Sequence, residues 1–168
     1  MDLFKIFERK NKILPLNASD EDIVAMADGT MFDVTKVSDP IFANQTLGNS
    51  VAFKYPKKQI TICSPANGIL TTLFPTGHAF GIKTNMGIEI LIHIGINTVN
   101  ANGNGFSFGK FRQGDKVKSG DPIVTVNVKK LSNYFDMSTI LIITKTNNKK
   151  IDFIPFQKVR KGQLIIHK

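Results

Sequence analysis

The sequence predicts a single all-β domain, sandwich-like or barrel-like, assembled from short strands. Three observations carry this expectation. Short runs rich in Val, Ile, Thr and Phe recur along the chain, with glycine and asparagine interrupting them roughly every 8–12 residues. No long segment of 3.6-residue periodicity competes with them. Strands and helices do not alternate regularly, which argues against a doubly wound parallel sheet. With 168 residues and 42% apolar content, the chain suits one domain with a substantial core.

In chain order, the first dozen residues read as an amphipathic helical turn or two. Leu3, Phe4 and Phe7 fall at helical spacing among Lys5, Arg9, Lys10 and Lys12. Such a segment can lie on an anionic bilayer or form a frayed terminus, so residues 1–12 carry an expected peripheral membrane contact. Strand-like runs begin from about Ala25. Ile60-Thr61-Ile62-Cys63 leads into the turn Pro65-Ala66-Asn67-Gly68. Ile69–Phe74, Ala79–Thr84, Ile88–Ile96, Val117, Ile123–Val128, Ile140–Lys145 and Leu164–His167 follow as strands. Cys63 is the single cysteine, which excludes an internal disulfide framework and suits a reducing cytoplasm. No apolar run reaches the ~20 residues of a membrane span, and no signal-peptide layout opens the chain.

The formal charge of +9 admits anionic partners. Small clusters occur at Lys57-Lys58, Lys129-Lys130 and Lys149-Lys150, but the basic residues are otherwise scattered. A nucleic-acid groove would interleave them with exposed aromatics along a stripe, so nucleic-acid binding is not expected.

The chemistry concentrates on two of the three histidines, His78 and His93, which flank one hairpin. Asn85-Met86-Gly87 is the turn. Even positions from Ile88 to Ile96 form one apolar face, so Glu89, Leu91, His93 and Gly95 share the other. His93 therefore turns away from the core toward a surface or cleft. Pairs summing to 171 would set His78 opposite His93. The apolar pattern favours pairs summing to 172, with Lys83 opposite Glu89, and Thr76-Gly77 could then bend the strand to return the ring. Two such imidazoles could bind zinc with outside ligands, pair a nucleophile with a hydrogen-bonding partner, or hold a phosphate.

Several ordered blocks resemble the glucose-type enzyme IIA of the bacterial phosphoenolpyruvate:sugar phosphotransferase system. They are Thr76-Gly77-His78-Ala79-Phe80, Gly87-Ile88-Glu89, His93-Ile94-Gly95-Ile96-Asn97-Thr98-Val99 and Gly103-Asn104-Gly105-Phe106. Gly114–Asp121, Val37–Ala43 and Ser64–Gly68 fit as well, so the likeness runs from about Ile23 to Lys168. It implies a domain at 21–168 behind a flexible tail at 1–20, folded as an antiparallel β-sandwich of the duplicated hybrid motif type.

The resemblance also implies roles. His93 would accept a phosphoryl group from the phosphocarrier HPr and pass it to the IIB domain of a glucose-type sugar permease. His78 would hydrogen-bond that group, and Thr76 would orient His78. Backbone N–H groups near Gly95 or Ile96 would add donors. Phe42, Phe74, Phe80 and Leu91 align with an apolar docking rim, with at least one of them expected to be ordinary core, and Asn97 lies beside them. No cofactor is required, although His78 and His93 offer an incidental zinc site. The protein is expected to be a cytoplasmic phosphotransferase component, or else a regulatory homologue whose phosphorylation signals to other proteins. Many relatives carry aspartate where this chain has Asn97 and glutamate where it has Asn104, and are acidic overall, so the resemblance leaves partner choice and affinity open. A zinc peptidase of related fold would need an H-x-H pair, and a biotinyl or lipoyl carrier a Met-Lys-Met; neither occurs.

Overall fold

A computed structural model describes residues 17–168. The amphipathic segment expected at 1–12 lies outside the described residues. Asn17 to Asp20 are held against the domain: the Asn67 amide donates to the Ala18 carbonyl at 3.0 Å, and Asn85 to the Asp20 carboxylate at 2.8 Å.

The strands are β1 (Gly29–Phe32), β2 (Asn49–Lys54), β3 (Ile60–Cys63), β4 (Gly68–Leu73), β5 (Ala79–Thr84) and β6 (Glu89–Ile94), followed by β7 (Phe106–Phe108), β8 (Lys116–Val117), β9 (Pro122–Val126), β10 (Thr139–Lys145) and β11 (Lys158–Val159). Eight form a sheet in the order β11-β1-β2-β10-β6-β5-β4-β8, and three form a second in the order β3-β9-β7. Each of these pairings is antiparallel, as expected for an all-β sandwich. The main core unites Leu70, Ile82, Ile90 and Ile92 of the large sheet with Ile62, Val124 and Val126 of the small one.

β5 and the β6 segment stand where the alternation put them. β1, β2, β7 and β11 were not foreseen. β2 buries Val51 and Phe53 in the main core and Ala52 in a smaller cluster on the opposite face, so it shows no apolar–polar alternation. The expected strand at Leu164–His167 reduces to single bridges, Leu164 to Val24 and Ile166 to Phe153. The Ile123–Val128 run ends early because Asn127 caps a short helix, Val128–Leu131, its carboxamide oxygen accepting from Lys130 N–H.

The smaller apolar cluster prepares the site. Val34, Val37, Phe42, Ile96, Ile140 and Ile142 pack together, with Leu91 against them, on the sheet face opposite the main core. A four-residue helix, Pro40–Ala43, supplies Phe42. Asp39 caps it, accepting from Ile41 N–H at 2.9 Å, and Pro40 opens it without losing a needed donor.

Candidate functional site

The β5–β6 hairpin adopts the register in which Lys83 faces Glu89 and Ala79 faces His93. That is the 172 register, which taken alone would set His78 on the isoleucine face. Gly77, with φ of 76°, redirects the chain before β5 begins. The imidazoles meet as a result: their centroids lie 5.3 Å apart with planes at 76°. The backbone still closes the ladder there, Ile94 N–H donating to the His78 carbonyl at 2.7 Å.

The two rings have complementary hydrogen bonding. His93 Nδ1 lies 2.7 Å from the Gly95 carbonyl, which can only accept, so Nδ1 of the neutral ring carries the proton. Nε2 then presents a lone pair. Gly95 itself has φ of 76°, and the buried Thr98 hydroxyl ties down this turn by donating to the Ile94 carbonyl at 2.5 Å. His78 Nδ1 lies 2.5 Å from the Thr76 hydroxyl. With that hydroxyl donating, His78 Nε2 bears a hydrogen. One ring thus offers a nucleophilic nitrogen and its neighbour a donor.

Burial sets the charge state. His93 is half-buried, with Phe42 tilted against it at 4.7 Å between centroids. Desolvation pushes its pKa from 6.5 down to about 4, outweighing the upward pull of the Gly95 carbonyl, with His78 lowering it further and Asp39 raising it. Burial also lowers the pKa of His78, which is 6% exposed. Both rings are neutral at physiological pH.

The expected docking rim divides. Phe42 packs on His93, and Phe74 lies 5.3 Å from the His78 ring while remaining 38% exposed. Leu91 is half-buried in the small cluster, and Asn97 is exposed in the left-handed conformation that asparagine tolerates. Phe80 does not belong to the rim. It points into the main core at 0% exposure because its β5 position faces Ile92. The backbone donors expected near Gly95 and Ile96 are also engaged: Gly95 N–H donates to the Ser138 carbonyl at 3.0 Å and Ile96 N–H to Asp136 at 2.8 Å. Neither can receive an anion.

Sequence reasoning did not single out Thr98, Ile41 or Val99. The latter two are 53% and 49% exposed, on the helix that carries Phe42 and on the turn that carries Thr98. Lone apolar residues in such short elements leave no periodic signal. Among the described residues, no group of three or more His, Cys, Asp and Glu is placed to hold a metal.

Residues 21–150 match the family model for the phosphoenolpyruvate-dependent sugar phosphotransferase system, EIIA 1. The chain belongs to this EIIA family. It is 37% identical over 145 residues to the glucose-specific EIIA component of the phosphotransferase system of Mycoplasma capricolum subsp. capricolum, covering 85% of this chain and 92% of that protein. Its fold matches the solved glucose permease IIA from Mycoplasma capricolum with a TM-score of 0.79 at 34% identity, over 86% of this chain and 93% of that one. As an EIIA, the protein is a phosphotransferase component that relays phosphoryl groups from HPr toward a IIB partner. Among the described residues no helix is long and apolar enough to cross a membrane.

Proposed function

We propose that His93 Nε2 takes the phosphoryl group from phospho-HPr and passes it to the IIB domain of a glucose-type sugar permease. The observation that carries this reading is the paired geometry: a neutral imidazole with Nδ1 anchored on the Gly95 carbonyl, beside a second imidazole whose tautomer Thr76 sets. As the N–P bond to the carrier breaks, the N–P bond to Nε2 forms. The Nδ1 proton stays in place, and the Gly95 carbonyl stabilises the positive charge left on the ring. His78 Nε2–H donates to a phosphoryl oxygen. The transfer passes through a loose state with charge spread over three oxygens, so positioning supplies most of the catalysis.

Phe42, Phe74, Leu91 and Asn97, with Ile41 and Val99, form the surface on which HPr and IIB alternate. Apolar contacts there displace water whichever partner is present. No cofactor enters this chemistry. Zinc would find two imidazole ligands at His78 and His93 and would need a partner's carboxylate to complete its shell. The protein works in the cytoplasm, where the reducing environment suits the free, buried Cys63.

Incubation with phosphoenolpyruvate, enzyme I and HPr tests the reading. The expected product is an acid-labile, base-stable adduct of about 80 Da, one phosphoryl group. His93→Ala should give none. His78→Gln should still be phosphorylated but should pass the group on poorly, and normal onward transfer in that variant would refute the role of His78.

A further inference from the structure

The tautomer of His93 depends on one carbonyl, and a turn outside the hairpin aims that carbonyl. Gly95 C=O and Ile96 N–H belong to the same peptide group, which is planar and trans, so they point in opposite directions. Ile96 N–H donates to the Asp136 carbonyl at 2.8 Å. With that end tethered, the Gly95 oxygen at the other end is directed at His93 Nδ1, 2.7 Å away. The preceding peptide is held at both ends. Its N–H, on Gly95, donates to the Ser138 carbonyl at 3.0 Å, and its C=O, on Ile94, accepts from the Thr98 hydroxyl.

The two tethering carbonyls lie two residues apart, and one side chain fixes how they are presented. Asp136 Oδ1 accepts from Ser138 N–H at 3.0 Å and from the Ser138 hydroxyl at 2.7 Å, which closes the turn 136–138 on itself. Ser138 is buried, so its hydroxyl has no ready replacement from water. The turn lies directly against the Gly95 backbone. A Cβ at Gly95 would stand 3.0 Å from Met137 Sδ and 3.3 Å from the Asp136 carbonyl oxygen. Asp136 itself is exposed, so truncating its side chain opens no core cavity.

We infer that Asp136 is a positioning residue for phosphoryl acceptance. Its carboxylate shapes the 136–138 turn, the turn tethers the peptides on either side of Gly95, and the Gly95 carbonyl thereby keeps the proton on His93 Nδ1. A ring released from that acceptor can carry its proton on Nε2 instead, where it blocks attack on phosphorus. The role needs an acceptor oxygen at position 136 rather than a charge, so asparagine can fill it and alanine cannot. The consequence for transfer rests on the function proposed above; the effect on the tautomer does not.

The test compares Asp136→Ala with Asp136→Asn in the full chain. Long-range ¹H–¹⁵N spectra of the unphosphorylated, histidine-labelled protein read the His93 tautomer. Single-turnover labelling from phospho-HPr reads the maximal rate and the half-saturating carrier concentration. Asp136→Ala should populate the Nε2–H form of His93 and lower the maximal rate about fivefold, the effect of one lost hydrogen bond, with half-saturation unchanged. Asp136→Asn should keep the native tautomer and a rate within about twofold of the unsubstituted chain. Ser138→Ala keeps the N–H bond and loses the hydroxyl bond, so it should fall between them. Should Asp136→Ala not fold, Ser138→Ala carries the test, and a native tautomer and rate in it would overturn the role. A native tautomer in Asp136→Ala would do the same. So would an asparagine variant as slow as the alanine one, which would put the charge in control, or a loss confined to half-saturation, which would make Asp136 a docking group. An altered tautomer with unchanged acceptance would overturn the link to transfer, while the adduct assay decides the phosphotransfer reading independently.

Discussion

At the scale of single residues, the proposed transfer rests on two neutral rings with opposite roles at Nε2. The depressed pKa of His93 has a definite sign in both chemistry and stability. Unfolded, this histidine takes up its proton near 6.5; folded, it resists until about 4. Between those values the unfolded chain binds more protons, so this group makes stability rise with pH across that window, and its effect saturates below it. Phosphoryl acceptance should accordingly stay flat down to about pH 5, since the nucleophilic form persists. An NMR titration of the His93 ring should give a midpoint about two units below an ordinary histidine; an ordinary midpoint would remove the desolvation argument. Thr76→Val should leave the fold intact and slow onward transfer roughly fivefold, the value of about 1 kcal/mol for one hydrogen bond. Coupled assays of acceptance and transfer would resolve that difference.

Among the elements, the β5–β6 hairpin decides the site, and its legibility in sequence was uneven. Five alternating isoleucines gave the faces of β6, and the same alternation favoured the true register. The meeting of the rings depended on a bend that Thr76-Gly77 only suggested. The engaged N–H groups of Gly95 and Ile96 could not be foreseen, because their acceptors at Ser138 and Asp136 lie some forty residues away in sequence. β7, with three residues among glycines and asparagines, and β2, buried on both faces, lacked the period that marks a strand. The turn after β6 is equally constrained. Alanine at Gly95 would bring Cβ to 2.4 Å from the Thr98 methyl and force a side chain into positive φ. Gly95→Ala should destabilise the protein by about 1–3 kcal/mol and slow acceptance by displacing the carbonyl that orients His93. Denaturant unfolding measures the first effect and single-turnover labelling the second.

For the whole molecule, the fold separates a core face from a working face, and two phenylalanines distinguish them. Phe80→Ala should cost about 3–5 kcal/mol as a core truncation. Phe74→Ala should change stability by no more than about 1 kcal/mol while weakening partner docking. Comparable stability losses in calorimetry would contradict the division. The charge of +9 adds a long-range field that favours partners with acidic faces, so transfer from a cognate carrier should slow as salt rises; acceleration by salt would mean like charges meet. Beneath both lies the claim that His93 Nε2 is the nitrogen that carries phosphorus. Long-range ¹H–¹⁵N and ³¹P spectra of the phosphorylated chain, labelled at histidine, read this atom by atom. The account predicts phosphorus bonded to Nε2 of His93, with Nδ1 still protonated toward Gly95. Phosphorus on Nδ1, or on His78, would contradict it.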